Sequence, residues 1–222
     1  MKADNFQKEG EKNQIDLWKS ETEDVKNFFS RFDIDIKHSY KKLFSLNYDK
    51  VQSVIYLIGK IQKVMAVCDF LDDLAKQKQD VDKIKIFYLI SHTEIAMNTF
   101  SHGGNKADLV KKYFNPVMDK LECSLRLSIE SQGLVSTEKI GSSADVILYK
   151  LRNEYVHQGN FTGKIFHSES EDNKAYKLFT FDWDLQGKGN TINVTGETKL
   201  TYNQFLNIYF FAFRYHLENF VK

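Results

Sequence analysis

Residues 143–161 read SADVILYKLRNEYVHQGNF, and this stretch sets how the rest of the chain is understood. Ala144, Ile147, Leu148, Leu151 and Tyr155 recur at helical steps and draw one apolar face of an α-helix. Ser143 is the candidate N-cap, and Asp145 puts a negative charge in the first turn, where the helix dipole favours it. Gly159 supplies a stop signal. On the polar side, Asn153 and His157 lie one turn apart and share a face. Arg152 is displaced from Asn153 by about 100°. A guanidinium on that long stem can swing over the last turn and meet the imidazole.

Outward from this helix the chain is mostly helical in pattern. Towards the N-terminus, residues 1–14 are charged and without period. Ser20 and Glu23 form a candidate capping box ahead of Val25, Phe28, Phe29 and Phe32. A short helix with Tyr40, Leu43 and Phe44 is expected within 33–46. Val51, Ile55, Ile58, Ile61, Met65, Cys68 and Leu71 give the longest periodic stripe, the core face of a long bundle helix. The next helix opens at Asp80 or Asp82, with Ile84, Phe87, Tyr88, Ser91, Ile95 and Thr99 expected on its buried side, and Gly103-Gly104 ends it. Residues 106–114 and 116–130 read as two further helical pieces around Pro116, the only proline, and 131–143 as a loop.

Beyond the central helix the period changes to two. Residues 164–168, 175–184 and 190–194 read as three short strands, with Phe179, Phe181 and Trp183 alternating against polar neighbours. Residues 170–173 and 186–190 carry the turn chemistry. The last helix starts at a second capping box, Thr201 to Gln204, and is unusually aromatic; some of its surface is a candidate dimer seam. The expected fold is mainly α: an up-and-down helical bundle with a small antiparallel β-meander, about 162–197, inserted before the last helix. Residues 1–35 form an N-terminal extension and 36–222 the helical domain.

Composition narrows the function. Hydrophobic residues make up 42% and charged residues 27%, as in an ordinary folded domain. A net charge of +1 gives no global field toward nucleic acid, so an RNA-binding role needs a local basic patch. Arginine occurs only at Arg31, Arg126, Arg152 and Arg214, which makes the one beside Asn153 stand out. Cys68 and Cys123 are too few and too far apart for a disulfide framework or zinc site and are expected to be buried thiols. The histidines outside the central helix, including His92, His102 and His216, have no metal-ligand spacing. A cytoplasmic protein is expected, with no membrane span, metal or cofactor.

The run Arg152-Asn153-Glu154-Tyr155-Val156-His157 resembles the R-x4-H motif of the HEPN family of helical nucleases and nucleotide-binding domains. In that family the arginine is often followed by asparagine, and the motif sits near the end of a core helix. The resemblance implies a HEPN-like bundle, a metal-independent endoribonuclease acting on single-stranded RNA, and a homodimer in which two motif helices form one composite site. It implies Arg152, Asn153 and His157 as the catalytic residues. RNA carries its own 2′-hydroxyl nucleophile, so the protein needs a proton-transfer group and a fixed cation. His157, with an ordinary pKa of about 6.5, suits the first task, and the Arg152 fork suits the second. Both must reach solvent together. The alternative is a HEPN-like module that binds a nucleotide, RNA or protein without cutting. Toxin members of the family often carry a tyrosine two residues after the histidine; here that position is Gly159, so modification by a partner nucleotidyltransferase is not expected.

Overall fold

The computed structural model describes residues 48–75, 81–101, 103–128, 144–157, 162–163, 165–167, 177–184 and 191–222, with the single positions 20, 27, 29, 30 and 42. Of the expected N-terminal capping box only Ser20 is described, and it is already helical rather than the residue before the helix; of the helix expected within 33–46 only Lys42 is described, and it is helical. Glu23, the loop 131–143 with Ser143, and the turns at 170–173 and 186–190 lie outside these residues. So do His102 and Gly159. The described residues are mainly helical, as the sequence pattern indicates.

The elements run α1 (Tyr48–Ala75), α2 (Val81–Ser101), α3 (Lys106–Phe114), a 3-10 turn (Asn115–Val117), α4 (Met118–Glu122), β1 (Leu125–Ser128), α5 (Ala144–His157), β2 (Thr162–Gly163), β3 (Lys177–Asp184), β4 (Thr191–Thr198) and α6 (Tyr202–Phe220). α1 follows its stripe: Val51, Val54, Leu57, Ile58, Ile61, Met65 and Cys68 are buried. Its stretch Asp49–Phe70, with a mean hydropathy of 1.3, is long and apolar enough to cross a membrane by composition alone. The buried row on one side of it is also what a core helix of a folded domain presents.

α2 is the hub, packing against α1, α3, α5 and α6. Its buried residues include Ile86, Leu89, Ile90, His92, Thr93, Glu94, Ala96 and Met97, whereas Tyr88 and Ile95 are exposed. The face expected from the pattern is therefore the wrong one. The run from Ile84 to Ile90 is apolar nearly all round, so period alone does not single out a side. The neighbouring helices decide it.

α3 is capped by Asn105, whose side chain accepts from the Asp108 backbone N–H at 2.9 Å. Gly103 and Gly104 precede the cap at φ +99° and +151°, a backbone that L side chains rarely adopt. The expected helix over 116–130 is shorter. It ends at Glu122, and Leu125–Ser128 becomes a strand paired antiparallel with β4, Leu125 opposite Thr198. That pairing satisfies backbone groups that a frayed helix end would leave open. Cys123 lies at this break and is exposed, contrary to expectation, while Cys68 is buried.

The sheet order is β1-β4-β3-β2, all antiparallel. β1 precedes α5 and β2 to β4 follow it, so strands from both sides of the central helix meet. The expected strand at 164–168 is instead a two-residue β2, a bend at Ile165 and Phe166, and a parallel bridge from His167 to Thr201. The bend is fixed by Asp82 in the first turn of α2, whose carboxylate accepts from the Ile165 and Phe166 backbone N–H groups at 2.9 and 3.0 Å.

α6 begins at the expected capping box. The Thr201 side chain accepts from the Gln204 N–H, and the Gln204 side chain accepts from the Thr201 N–H. Phe205, Tyr209, Phe210, Ala212 and Phe213 enter the core, and Phe29 stacks on Phe213 with centroids 5.6 Å apart. Tyr215 and Phe211 stay exposed.

Candidate functional site

α5 presents the apolar face that its sequence draws: Ala144, Ile147, Leu148 and Leu151 are all buried against α2 and its neighbours. Removing each large aliphatic side chain from water contributes about 2 kcal/mol. Asp145 sits in the first turn, almost fully covered. The helix continues unbroken through His157, so Asn153 and His157 stand on one face a turn apart, about 6 Å along the axis. The His157 side chain lies outside the described residues.

Arg152 reaches back to α2 rather than out to solvent. Its side chain is only 12% exposed, and its Nε lies 3.3 Å from Glu94 Oε1, an ion pair without hydrogen-bond geometry at those two atoms. Nη2 donates to Glu94 Oε2 at 3.4 Å, and Nη1 donates to Asn153 Oδ1 at 2.9 Å. The guanidinium carbon is 5.9 Å from the centroid of the Phe87 ring. The expectation of an openly wetted arginine is corrected to this extent. The reason is Glu94, a buried carboxylate that needs a counter-charge, and Arg152 is its partner.

The electrostatics agree with that geometry. Burial pushes the Glu94 carboxyl above its ordinary range, and Arg152 and then Lys106 pull it back down. The site as described is thus a clamp in which Glu94 and Asn153 fix the plane of one guanidinium. It joins Arg152 with Asn153, as the motif requires, and adds Glu94, Phe87 and Lys106. Glu94 escapes a reading of the sequence because it stands 58 positions from Arg152. A signal exists: it is the lone charge within the otherwise uncharged run 86–105, and such a carboxylate calls for a distant cation.

A second polar cluster occupies the core. The His92 ring lies with Nε2 3.1 Å from the Leu57 carbonyl and Nδ1 2.5 Å from the Tyr209 hydroxyl. The partners define a neutral imidazole that donates from Nε2 and accepts from Tyr209 at Nδ1. Burial lowers the His92 pKa to about 4, against a smaller opposing pull from the Leu57 carbonyl. The Tyr113 hydroxyl donates to the Tyr209 carbonyl at 3.0 Å, and burial raises both phenols. His92 is a packing residue here. Among the described residues no group of three His, Cys, Asp or Glu side chains could hold a metal ion.

No family model matches this chain, and neither a curated protein nor a solved structure does.

Proposed function

We propose that the chain is a HEPN-like domain: an up-and-down helical bundle with a β-meander inserted before its last helix, acting as a metal-independent endoribonuclease on single-stranded RNA. In this reading it is cytoplasmic and homodimeric, with two α5 helices facing each other so that each contributes Arg152, Asn153 and His157. The observation that carries the reading is the clamp. Arg152 is held by Glu94 and Asn153 just before the turn that ends in His157. A guanidinium already fixed in place costs no reorganisation when charge develops nearby.

The reaction needs only these groups. A neutral His157 takes the proton from the RNA 2′-hydroxyl as that oxygen attacks the adjacent phosphorus. The bond to the 5′-oxygen breaks, and the leaving oxygen takes a proton from the imidazolium of the partner motif. The products are a 2′,3′-cyclic phosphate and a 5′-hydroxyl. Arg152 faces the charge on the phosphoryl oxygens, and Asn153 orients both side chains. Incubation of purified protein with single-stranded RNA in EDTA tests this. Cyclic phosphate ends that disappear in His157→Ala are expected. Equal cleavage by wild type and variant would sink the reading.

A second reading, a HEPN-like binding module without turnover, draws on one observation. Arg152 is largely covered, and its donors already serve Glu94 and Asn153. Saturable RNA or nucleotide binding that Asn153→Ala abolishes, with no cleavage, would select it.

A further inference from the structure

A cleft of about 490 Å³ opens between α2, α3 and α6, away from Arg152 and Asn153. Its volume falls within the range of about 300–1,000 Å³ typical of small-molecule sites. Ser101 of α2, Lys111 and Lys112 of α3, Asn115 just beyond it, and Tyr215 and His216 of α6 line it. Three chemistries converge. The first is an aromatic wall. Tyr215 is 50% exposed, which leaves much of a large ring open to solvent. It abuts His216 edge-on at 5.4 Å. His216 in turn lies nearly parallel to Phe100 and Tyr113, with centroids 6.4 and 5.5 Å away. Its Nε2 donates to the Tyr113 carbonyl at 3.0 Å, so the ring cannot turn freely. The second is charge. Lys111 and Lys112 are exposed, and neither is ion-paired among the described residues. The one acid on the wall, Asp108, is engaged by the Asn105 amide at 2.5 Å. The third is neutral hydrogen bonding: the Asn115 amide, and the lone pairs of the Ser101 hydroxyl, whose proton goes to the Met97 carbonyl at 2.8 Å.

We infer that this cleft binds a nucleotide, an aromatic base carrying a phosphate, with the base against Tyr215 and the phosphate between Lys111 and Lys112. Lysines serve phosphate as point charges, and an exposed aromatic face accepts any base. The Asn115 amide and the accepting lone pairs of Ser101 are the lining groups left for the sugar and base edges. The ligand is either a free mononucleotide or the phosphorylated end of an RNA strand. The inference is independent of the nuclease reading, because Glu94 lies about 10 Å back along α2 from Ser101 and the cleft uses none of the motif residues.

Calorimetric titration of the full chain with adenosine 5′-monophosphate tests it, with inorganic phosphate and a 5′-phosphorylated single-stranded tetranucleotide in parallel. Saturable binding of the mononucleotide or the oligonucleotide is expected, and the tighter of the two names the source. Tyr215→Ala, and Lys111→Ala combined with Lys112→Ala, should each weaken it about tenfold or more. Thermal melting of these surface variants should match wild type, which excludes a folding defect. Wild-type affinity in both variants would overturn the inference, as would inorganic phosphate binding as tightly as the nucleotide, or no saturation up to millimolar ligand. His157→Ala should bind the mononucleotide like wild type, so loss of cleavage and loss of this site are separable.

Discussion

His92 and Glu94 stand two positions apart on α2, and each puts an ionisable group inside the fold. The two are accommodated in opposite ways. His92 faces α6 and is kept uncharged by its surroundings: a carbonyl on one nitrogen and a phenol on the other. Glu94 faces α5 and is matched with a cation, Arg152. The first arrangement needs no counter-charge and is insensitive to pH near neutrality. The second holds a permanent positive charge in a semi-buried place, where it has a stronger field than in water. A helix that is apolar nearly all round can therefore serve a packing role on one flank and a chemical role on the other.

The contrast is broken most strongly at the cation. Arg152→Ala leaves Glu94 covered and unmatched, and chemical denaturation should show a loss of about 3–5 kcal/mol. Adding Glu94→Leu to Arg152→Met should restore most of that loss, because a neutral pair of similar volume has no charge to desolvate. If the single and double variants are equally unstable, the ion pair is not what holds α2 to α5. The double variant would also be inactive if Arg152 serves catalysis, which separates stability from function.

The neutral flank is probed by pH. The folded-state pKa of His92 is lowered to about 4 from its ordinary value of 6.5, so between those values the unfolded chain binds more protons than the folded one. Stability then falls as pH drops through that window, by about 3 kcal/mol in all, and levels off below the folded value. Denaturant midpoints at about pH 7, 5.5 and 4 should show this slope in wild type and lose most of it in His92→Gln. Glu94 has the opposite sign. Its raised folded-state pKa means that the folded chain keeps its proton longer as pH rises through the carboxylate range, so its contribution to stability declines there. A profile with no His92-dependent component would show that the ring is more accessible than its contacts indicate.

How far these features are readable from sequence differs by element. α5 has a one-sided pattern, and the part of its predicted face from Ala144 to Leu151 is buried, Tyr155 lying outside the described side chains. The Thr201–Gln204 box is local chemistry and forms as expected. α2 has no polar side to contrast with, so its contacts are set by tertiary neighbours. LRLS at 125–128 carries no signal separating a strand from the end of a helix, and only pairing with β4 decides it. The clamp is half legible: Arg152 and Asn153 are adjacent in sequence, but Glu94 joins them only through folding.

The smallest effect expected is at the start of α6. Thr201→Ala removes the acceptor for the Gln204 N–H and should cost about 1 kcal/mol. The β-bridge between Thr201 and His167 is made by backbone and survives the substitution, so a much larger loss in melting experiments would mean that the buried Thr201 side chain packs as well as caps.

β1 enters the sheet before α5, and its neighbour β4 enters after it. The central helix is thereby enclosed in a zipped loop of chain. A swing of α5 away from the core is therefore tethered on both sides by the β1–β4 ladder, whose strands flank it in sequence. Amide protons of α5 and of that ladder should accordingly exchange with deuterium at a common rate, as a single opening unit rather than as an independent helix and sheet.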